Sequence, residues 1–275
     1  MKIGIIGIGI VGGAMAKVLS RIHKIYTYDK FKKEYSSEKN IKELAANSEL
    51  VFICVPTPMK PNSEMDSSAI YDCLAILSSS IKKTKRNPED ILVVIKSTIV
   101  PGTTDKLAEK YPFDFAFNPE FLREKHALED MEKTDRVIIG TNDSKDKNKL
   151  IAVYKPLFKK ANYVFADRKT AEMIKYAANV FLASQVGIAN EIYNICEAAG
   201  IDYDNVKKAV LLDKRIARNI DVPGPDNDFG FGGMCFPKDL NALICFAKQN
   251  NYNPSLLEEV WNLNNRVRKN KDWLK

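Results

Sequence analysis

Short runs of consecutive apolar residues recur through residues 1–166, and stretches with helical spacing of apolar positions separate them. Continuous apolar runs bounded by glycine, proline or polar residues are typical of strands that are buried on both faces. The predicted strands are 2–7, 24–29, 50–55, 91–95, 113–117, 136–140 and 162–166. Because strands that alternate with helices form βαβ units, this half predicts a doubly wound α/β domain with a parallel sheet.

The pattern changes near residue 167, after which only helical periodicity remains. The predicted helices are 170–199, 204–212, 238–250 and 254–275, and a loop rich in proline, glycine and aspartate occupies 221–233. Gly200 is a candidate C-cap for the first of these helices. We therefore predict two domains, an α/β domain over residues 1–167 and an all-α domain over 168–275.

Composition narrows the class of protein. The chain has 275 residues, of which 45% are hydrophobic and 28% charged, as in ordinary folded domains. Its net charge of +7 is spread along the chain, which favours a structural or solubility role for the charge first, an anionic small-molecule substrate second and a nucleic acid last. No apolar run approaches the ~18 residues of a membrane span. Five cysteines without a C-x-x-C pair predict neither a disulfide framework nor a metal site, and favour a reducing, cytoplasmic compartment.

A glycine-rich motif follows the first predicted strand. Gly7, Gly9 and Gly12 have the G-x-G-x-x-G spacing, and Asp29 ends the second predicted strand. In a Rossmann-type fold this turn places a helix amino terminus against a pyrophosphate, and the acid binds ribose hydroxyls while repelling a 2′-phosphate. The motif therefore predicts NAD as cofactor. Its predicted contacts are Gly7, Gly9, Ile10, Val11, Gly12 and Asp29.

The most informative segment is 229–239, which reads FGFGGMCFPKD. Cys235 stands at a predicted helix start, where the helix dipole lowers the pKa of a thiol. Lys238 adds positive charge, and Asp239 lies one turn from Cys235. The other four cysteines lie in apolar stretches, where buried and unreactive thiols are usual. Cys235 is therefore the candidate nucleophile.

Six segments in order resemble one family. They are 55–58, 96–103, 118–124, 171–179, 213–216 and 229–239. With them the sequence resembles the UDP-glucose/GDP-mannose dehydrogenase family across nearly its whole length. The resemblance implies a four-electron oxidation of a primary alcohol to a carboxylate. In such a reaction a thiolate holds the intermediate aldehyde as a thiohemiacetal and then a thioester.

The resemblance also implies roles for individual residues. Cys235 would be the nucleophile. Lys175 would stabilise the oxygen charge or act as base, and Asn179 would assist it. Asp239 would orient water and take part in proton transfer, and Thr98 would hold that water. Glu120 would serve in thioester hydrolysis. Further cofactor contacts would be Val55, Pro56, Thr57, Ser97, Thr98, Glu124 and Lys238. Substrate contacts would be Glu120, Phe121, Leu122, Arg123, Lys175, Asn179, Phe229, Gly230, Phe231 and Gly232, with Arg215 reaching the site of a neighbouring subunit.

Several functions remain open at this point. UDP-glucose oxidation to UDP-glucuronate is favoured, with GDP-mannose as an alternative. A two-electron 3-hydroxyacid dehydrogenase would not need Cys235. Family members end in a second Rossmann-like domain, which has no counterpart among these residues, so an inactive NAD-binding or dimerising fragment is the third alternative. A homodimer through 170–199 and 254–275 is expected.

Overall fold

The computed structural model describes residues 1–214, 216 and 220–274. The chain divides into two compact units, the first of residues 1–57 and 66–175 and the second of residues 58–65 and 176–275. No helix in the described part of the chain is long and apolar enough to cross a bilayer.

The first unit is built on a seven-stranded sheet with the strand order β2-β1-β3-β4-β5-β6-β7. The strands are β1 (Lys2–Ile6), β2 (Lys24–Tyr28), β3 (Leu50–Ile53), β4 (Leu92–Ile95), β5 (Asp114–Phe117), β6 (Arg136–Gly140) and β7 (Asn162–Ala166). All neighbouring strands pair in parallel except β5 and β6, which meet antiparallel at Phe117 and Gly140. The predicted doubly wound α/β class is confirmed, with this one antiparallel pair as the departure.

Six helices complete the first unit and a seventh begins in it. They are α1 (Ile10–Leu19), α2 (Glu38–Asn47), α3 (Ser68–Lys82), α4 (Thr103–Lys110), α5 (Ala127–Glu132), α6 (Ser144–Tyr154) and α7 (Arg168–Ala199). All residues of β3 and β4 are buried. Continuous apolar strands are expected when helices cover both faces of a sheet. Because β1, β3, β4 and β5 pair in parallel, their carboxyl ends lie along one edge of the sheet. Ligands bind at this edge in open α/β sheets.

Helix α7 runs from the first unit into the second. Its start is fixed by Asp167, whose carboxylate accepts hydrogen bonds from the Thr170 amide (2.8 Å) and hydroxyl (2.6 Å). Its end is fixed by Gly200, which has φ +70°, and the Ile201 amide reaches back to the Cys196 carbonyl at 2.9 Å. This arrangement confirms the predicted glycine cap.

The second unit is helical after α7. It contains α8 (Tyr203–Val210), α9 (Phe236–Gln249) and α10 (Ser255–Val267), followed by a short 3₁₀ turn at Asp272–Leu274. The predicted helix over 254–275 is therefore too long. Arg268 leaves the helix with extended backbone (φ −81°, ψ 128°), and its guanidinium turns to the loop before α9.

Candidate functional site

The glycine-rich turn between β1 and α1 has the shape that a dinucleotide needs. Gly7 has φ +91°, and a Cβ there would lie 2.7 Å from the Cys54 carbonyl oxygen. A Cβ on Gly12 would lie 1.9 Å from the Gly7 oxygen, so the turn packs tightly against its helix. At Gly9, in contrast, a Cβ would meet no atom within 4 Å. This open backbone in front of the α1 amino terminus fits a pyrophosphate.

Asp29 stands just beyond the end of β2, as predicted, and its carboxylate is tied to the glycine-rich turn. Oδ2 accepts a hydrogen bond from the Ile8 amide at 2.7 Å, and Oδ1 accepts one from the Phe31 amide at 2.9 Å. Ile10 and Val11 open α1 directly after the turn. The residues present therefore fit the adenosine half of NAD, with the acid beside the phosphate-binding turn.

The two loops after β3 and β4 are fastened to each other. The Ser97 hydroxyl donates to the Val55 carbonyl at 2.6 Å, and the Thr57 hydroxyl donates to the Thr98 carbonyl at 2.8 Å. The Ser97 and Thr57 hydroxyls therefore bind the two loops to each other. Pro56 lies between Val55 and Thr57, which are both held by these hydrogen bonds. Thr98 is half-buried at the end of this edge.

A buried lysine fixes the loop after β5. The Lys96 ammonium donates to the Asn118 side-chain oxygen at 2.8 Å and to the Pro119 carbonyl at 2.9 Å. The Tyr154 hydroxyl donates to the same Asn118 oxygen at 2.6 Å, and the Asn118 amide donates to the Ile138 carbonyl at 2.6 Å. Burial lowers the pKa of Lys96 to about 8. The backbone before Glu120 is thus held by a charge in the protein interior.

Glu120 and Lys175 form an ion pair with 3.0 Å between oxygen and nitrogen, and their side chains are only 13% and 5% exposed. The second Glu120 oxygen accepts the Leu122 amide at 2.6 Å. Lys175 also lies 5.4 Å from the centre of the Phe121 ring. Four predicted residues therefore lie together, namely Glu120, Phe121, Leu122 and Lys175. The carboxylate and the ammonium are close enough for a proton to pass between them.

The remainder of this loop is more open. Arg123 pairs with Asp130 at 2.6 Å, and Glu124 is exposed in a 3₁₀ turn. A cavity of about 290 Å³ lies beside the loop, within the first unit. It is lined by Lys96, Glu120 and Phe121 among others, and by Arg136, whose guanidinium stacks 4.0 Å from the Phe121 ring centre.

In the second unit, Asp239 lies at the centre of a buried polar cluster. One carboxylate oxygen accepts the Asn179 amide at 2.5 Å and the other pairs with the Lys238 ammonium at 2.5 Å. Asp239 is 1% exposed, and Asn179 is 7% exposed. Asn179 stands one turn after Lys175 on α7. Lys238, for which a cofactor contact is predicted, pairs with Asp239 in this structure.

Cys235 is the N-cap residue of α9, and it is exposed. Its carbonyl oxygen accepts the Asp239 amide at 2.9 Å, which closes the first turn of the helix. The remaining cysteines are less accessible. Cys73 and Cys196 are buried, Cys54 and Cys245 are half-buried, and burial raises the pKa of Cys54 and of Cys73 to about 12. Cys235 therefore differs from the other four cysteines in its exposure and in its position at a helix start.

The predicted substrate residues Phe229, Gly230, Phe231 and Gly232 form the loop before Cys235, with Phe231 buried. Arg215 lies outside the described residues. The amino-acid sequence alone indicates no role for the side chains that support these loops. Lys96, Asn118 and Tyr154 hold the Glu120 loop, while Asn190, Asn264 and Arg268 hold the loop before Cys235. The one local signal was a lysine directly after a fully apolar strand.

A Rossmann-type sheet with a glycine-rich turn and an acid just beyond β2 defines a dinucleotide-binding domain. Comparison with known proteins gives the family. The NAD binding domain model of the UDP-glucose/GDP-mannose dehydrogenase family matches residues 24–158, and its central domain model matches residues 169–266. The chain belongs to this family, and its cofactor is NAD.

Individual relatives agree. A UDP-glucose 6-dehydrogenase of Rickettsia bellii is 39% identical over 272 residues, covering 94% of this chain and 59% of the relative. A UDP-glucose dehydrogenase structure from Pyrobaculum islandicum is 31% identical with a TM-score of 0.82, over 96% of this chain and 68% of that one. A GDP-mannose dehydrogenase structure from Pseudomonas aeruginosa is 28% identical with a TM-score of 0.69, over 97% and 69%. The chain thus spans about 59% of the length of the Rickettsia relative.

Proposed function

We propose that this chain carries the catalytic groups for NAD-dependent, four-electron oxidation of a nucleotide sugar at C6, with UDP-glucose as substrate and UDP-glucuronate as product. The observation that carries the proposal is Cys235, an exposed cysteine at the N-cap position of α9, one turn from the buried Asp239 carboxylate. A two-electron alcohol dehydrogenase has no use for such a thiol. A four-electron one needs it, because the aldehyde must be held between two hydride transfers.

In this proposal NAD supplies the hydride acceptor for both oxidations. In the first oxidation the proton of the sugar hydroxyl passes to the water that Asp239 orients and Thr98 holds, and the Lys175 ammonium stabilises the developing oxygen charge. The Cys235 thiolate then adds to the aldehyde carbon to give a thiohemiacetal, whose oxygen takes up a proton. Loss of the second hydride and of that proton leaves a thioester on Cys235.

Hydrolysis completes the proposed reaction. Water adds to the thioester carbon, Glu120 accepts the water proton, and the C–S bond breaks to release the carboxylate and restore the Cys235 thiolate. Asp239 orients water and takes part in proton transfer, Asn179 fixes its carboxylate, and Thr98 holds a water at the end of β4. The Glu120–Lys175 ion pair, with 3.0 Å between oxygen and nitrogen, supports this division of roles.

The assembly we propose is a homodimer through α7. Four large apolar side chains recur along one side of that helix and are exposed by 77%, 61%, 42% and 60%, namely Phe181, Ile188, Ile192 and Ile195. Exposed apolar stripes of this kind mark interfaces. A reducing cytoplasm is the compartment that suits an exposed reactive thiol.

The test counts NADH formed per UDP-glucose consumed, with Cys235→Ala as variant and Cys245→Ala, a half-buried cysteine of the same helix, as matched control. Two equivalents for the wild type and the control, with completed turnover lost in Cys235→Ala, are expected. One equivalent that is indifferent to the mutation would point to the hydroxyacid type of reaction. Turnover with GDP-mannose alone would reassign the sugar, and NAD binding without turnover of either sugar would make this chain an inactive part of a longer enzyme.

A further inference from the structure

The loop that leads into Cys235, residues 229–234, is termed the cysteine loop here. Two asparagines from different helices fix its middle. The Gly230 amide donates to the Asn190 side-chain oxygen on α7 at 2.9 Å. Asn264 on α10 binds both backbone groups of Phe231, accepting from its amide at 2.7 Å and donating to its carbonyl at 3.0 Å. A Cβ on Gly230 would lie 2.2 Å from the Asn264 oxygen, so the loop needs glycine there.

Behind the cysteine loop lies a buried guanidinium. Arg268, with a side chain that is 1% exposed, pairs with Asp226 at 2.6 Å and with Asp272 at 3.5 Å. Its Nε donates to the Asn270 carbonyl at 2.9 Å. A Cβ on Gly232 would lie 2.1 Å from the guanidinium, so the loop backbone lies directly against the charge. These partners fix the position of the buried guanidinium, because moving it would leave the Asp226 and Asp272 carboxylates unpaired.

The same carboxylate connects the guanidinium to the last part of the loop. Asp272 accepts the Gly233 amide at 3.0 Å while its other oxygen faces Arg268. Gly233 has φ +75°, a backbone conformation that this hydrogen bond holds in place. Only Met234 separates Gly233 from Cys235. The guanidinium therefore acts on the backbone that sets where the thiol stands relative to the α9 amino terminus.

We propose that Arg268 is a positioning residue for the Cys235 thiol, holding the cysteine loop so that the sulfur stays at the amino terminus of α9. The inference rests on the proposed function, in which Cys235 is the nucleophile. A helix amino terminus lowers a thiol pKa only within its first turn. Release of the loop would therefore convert an activated thiol toward an ordinary one.

Alkylation tests this role without requiring NAD or sugar. The rate of Cys235 modification by iodoacetamide is measured from pH 5 to pH 10 by mass spectrometry of the Cys235 peptide. The variants are Arg268→Met and the milder Arg268→Lys, and the matched control is Arg266→Met, an exposed arginine in the last turn of α10. In Arg268→Met the midpoint of the curve of alkylation rate against pH should rise. Because only the thiolate reacts, the rate at pH 7 should fall about tenfold for each pH unit by which the midpoint rises.

Arg268→Lys should lie between the wild type and Arg268→Met, since an ammonium can pair with one acid but cannot bridge both carboxylates and the loop. An unchanged midpoint in a folded Arg268→Met protein overturns the proposal; should that variant not fold, an unchanged midpoint in Arg268→Lys does so. A wild-type midpoint at the ordinary thiol value also overturns it, because no activation is then present. The NADH count judges the proposed function separately.

Discussion

Replacing Lys96 by methionine tests whether the loop of Glu120 is held at the expense of stability. Lys96 is 6% exposed, and both of its hydrogen-bond acceptors are neutral, the Asn118 side chain and the Pro119 carbonyl. Methionine has a similar length and shape but no charge. The substitution therefore removes the buried ammonium and leaves the surrounding packing nearly filled.

The magnitude follows from the pKa. Burial, the largest influence, lowers the pKa of Lys96 from 10.5 to about 8. At about 1.4 kcal/mol per pH unit, keeping this group charged in the folded protein at pH 7 costs about 3 kcal/mol. A lysine with a lowered folded pKa contributes stability above its unfolded pKa, and that contribution is lost as pH falls through about 8. Between pH 7 and pH 10 the wild type thus gains roughly 2–3 kcal/mol from Lys96.

Two terms oppose each other in Lys96→Met at pH 7. Removing the buried charge relieves about 3 kcal/mol, whereas the Pro119 carbonyl loses its donor at a cost of roughly 1–3 kcal/mol. Asn118 keeps the Tyr154 hydroxyl as a partner. We expect the free energy of unfolding of the variant to lie within roughly 2 kcal/mol of the wild-type value at pH 7. Between pH 7 and pH 10 the free energy of unfolding of the variant should fall by roughly 2–3 kcal/mol relative to that of the wild type.

Urea unfolding followed by circular dichroism at pH 7 and pH 10, in reductant, measures both quantities. Lys106→Met, an exposed lysine on α4, is the matched control and should show the same small difference at both pH values. A Lys96→Met variant whose stability difference from the wild type is equal at pH 7 and pH 10 would refute the reasoning. So would a loss above about 4 kcal/mol at pH 7, which would mean that the ammonium stabilises the fold.

Three further predictions concern other parts of the chain. The Glu172 carboxylate on α7 accepts hydrogen bonds from the Thr104 amide (2.8 Å) and hydroxyl (2.5 Å) at the start of α4. Glu172→Ala should therefore lower the free energy of unfolding in urea by roughly 2–4 kcal/mol. The control Glu109→Ala, at an exposed position of α4, should change it by almost nothing. Burial raises the pKa of Glu172, so its contribution to stability is present below the ordinary glutamate pKa and is lost as pH rises through the raised value; Glu172→Gln should flatten that dependence. Asp29→Ala should weaken NAD binding about tenfold and narrow the preference over NADP, by fluorescence titration with both; unchanged affinities would contradict the assignment. Ile188→Glu, on the exposed stripe of α7, should give a monomer by light scattering, whereas a dimer of wild-type strength would place the interface elsewhere.

The parts of the fold that the sequence predicts well are those specified by neighbouring residues. Strand β6 has the predicted bounds, because an unbroken apolar run is itself the property that buries a strand. Strand β7 also has the predicted bounds, although it lies at the edge of the sheet and is largely exposed. Helix α7 begins after Asp167 and ends before Gly200 for equally local reasons. The placement of Gly7, Gly9 and Gly12 follows from spacing within one turn. At these positions the local sequence and the three-dimensional structure impose the same requirement.

What the sequence does not predict depends on residues far apart in the chain. The pattern over 254–275 is helical throughout, yet α10 ends at Val267, because Arg268 gains more from its carboxylates and the cysteine loop than from another helical turn. Helical propensity amounts to a few tenths of a kcal/mol per residue, whereas a buried ion pair left with one partner costs roughly 3–5 kcal/mol. Lys96 follows the same rule, since its acceptors lie more than twenty residues away. Both buried cations hold loops that carry candidate catalytic residues, which is where a sequence is expected to sacrifice local consistency for function.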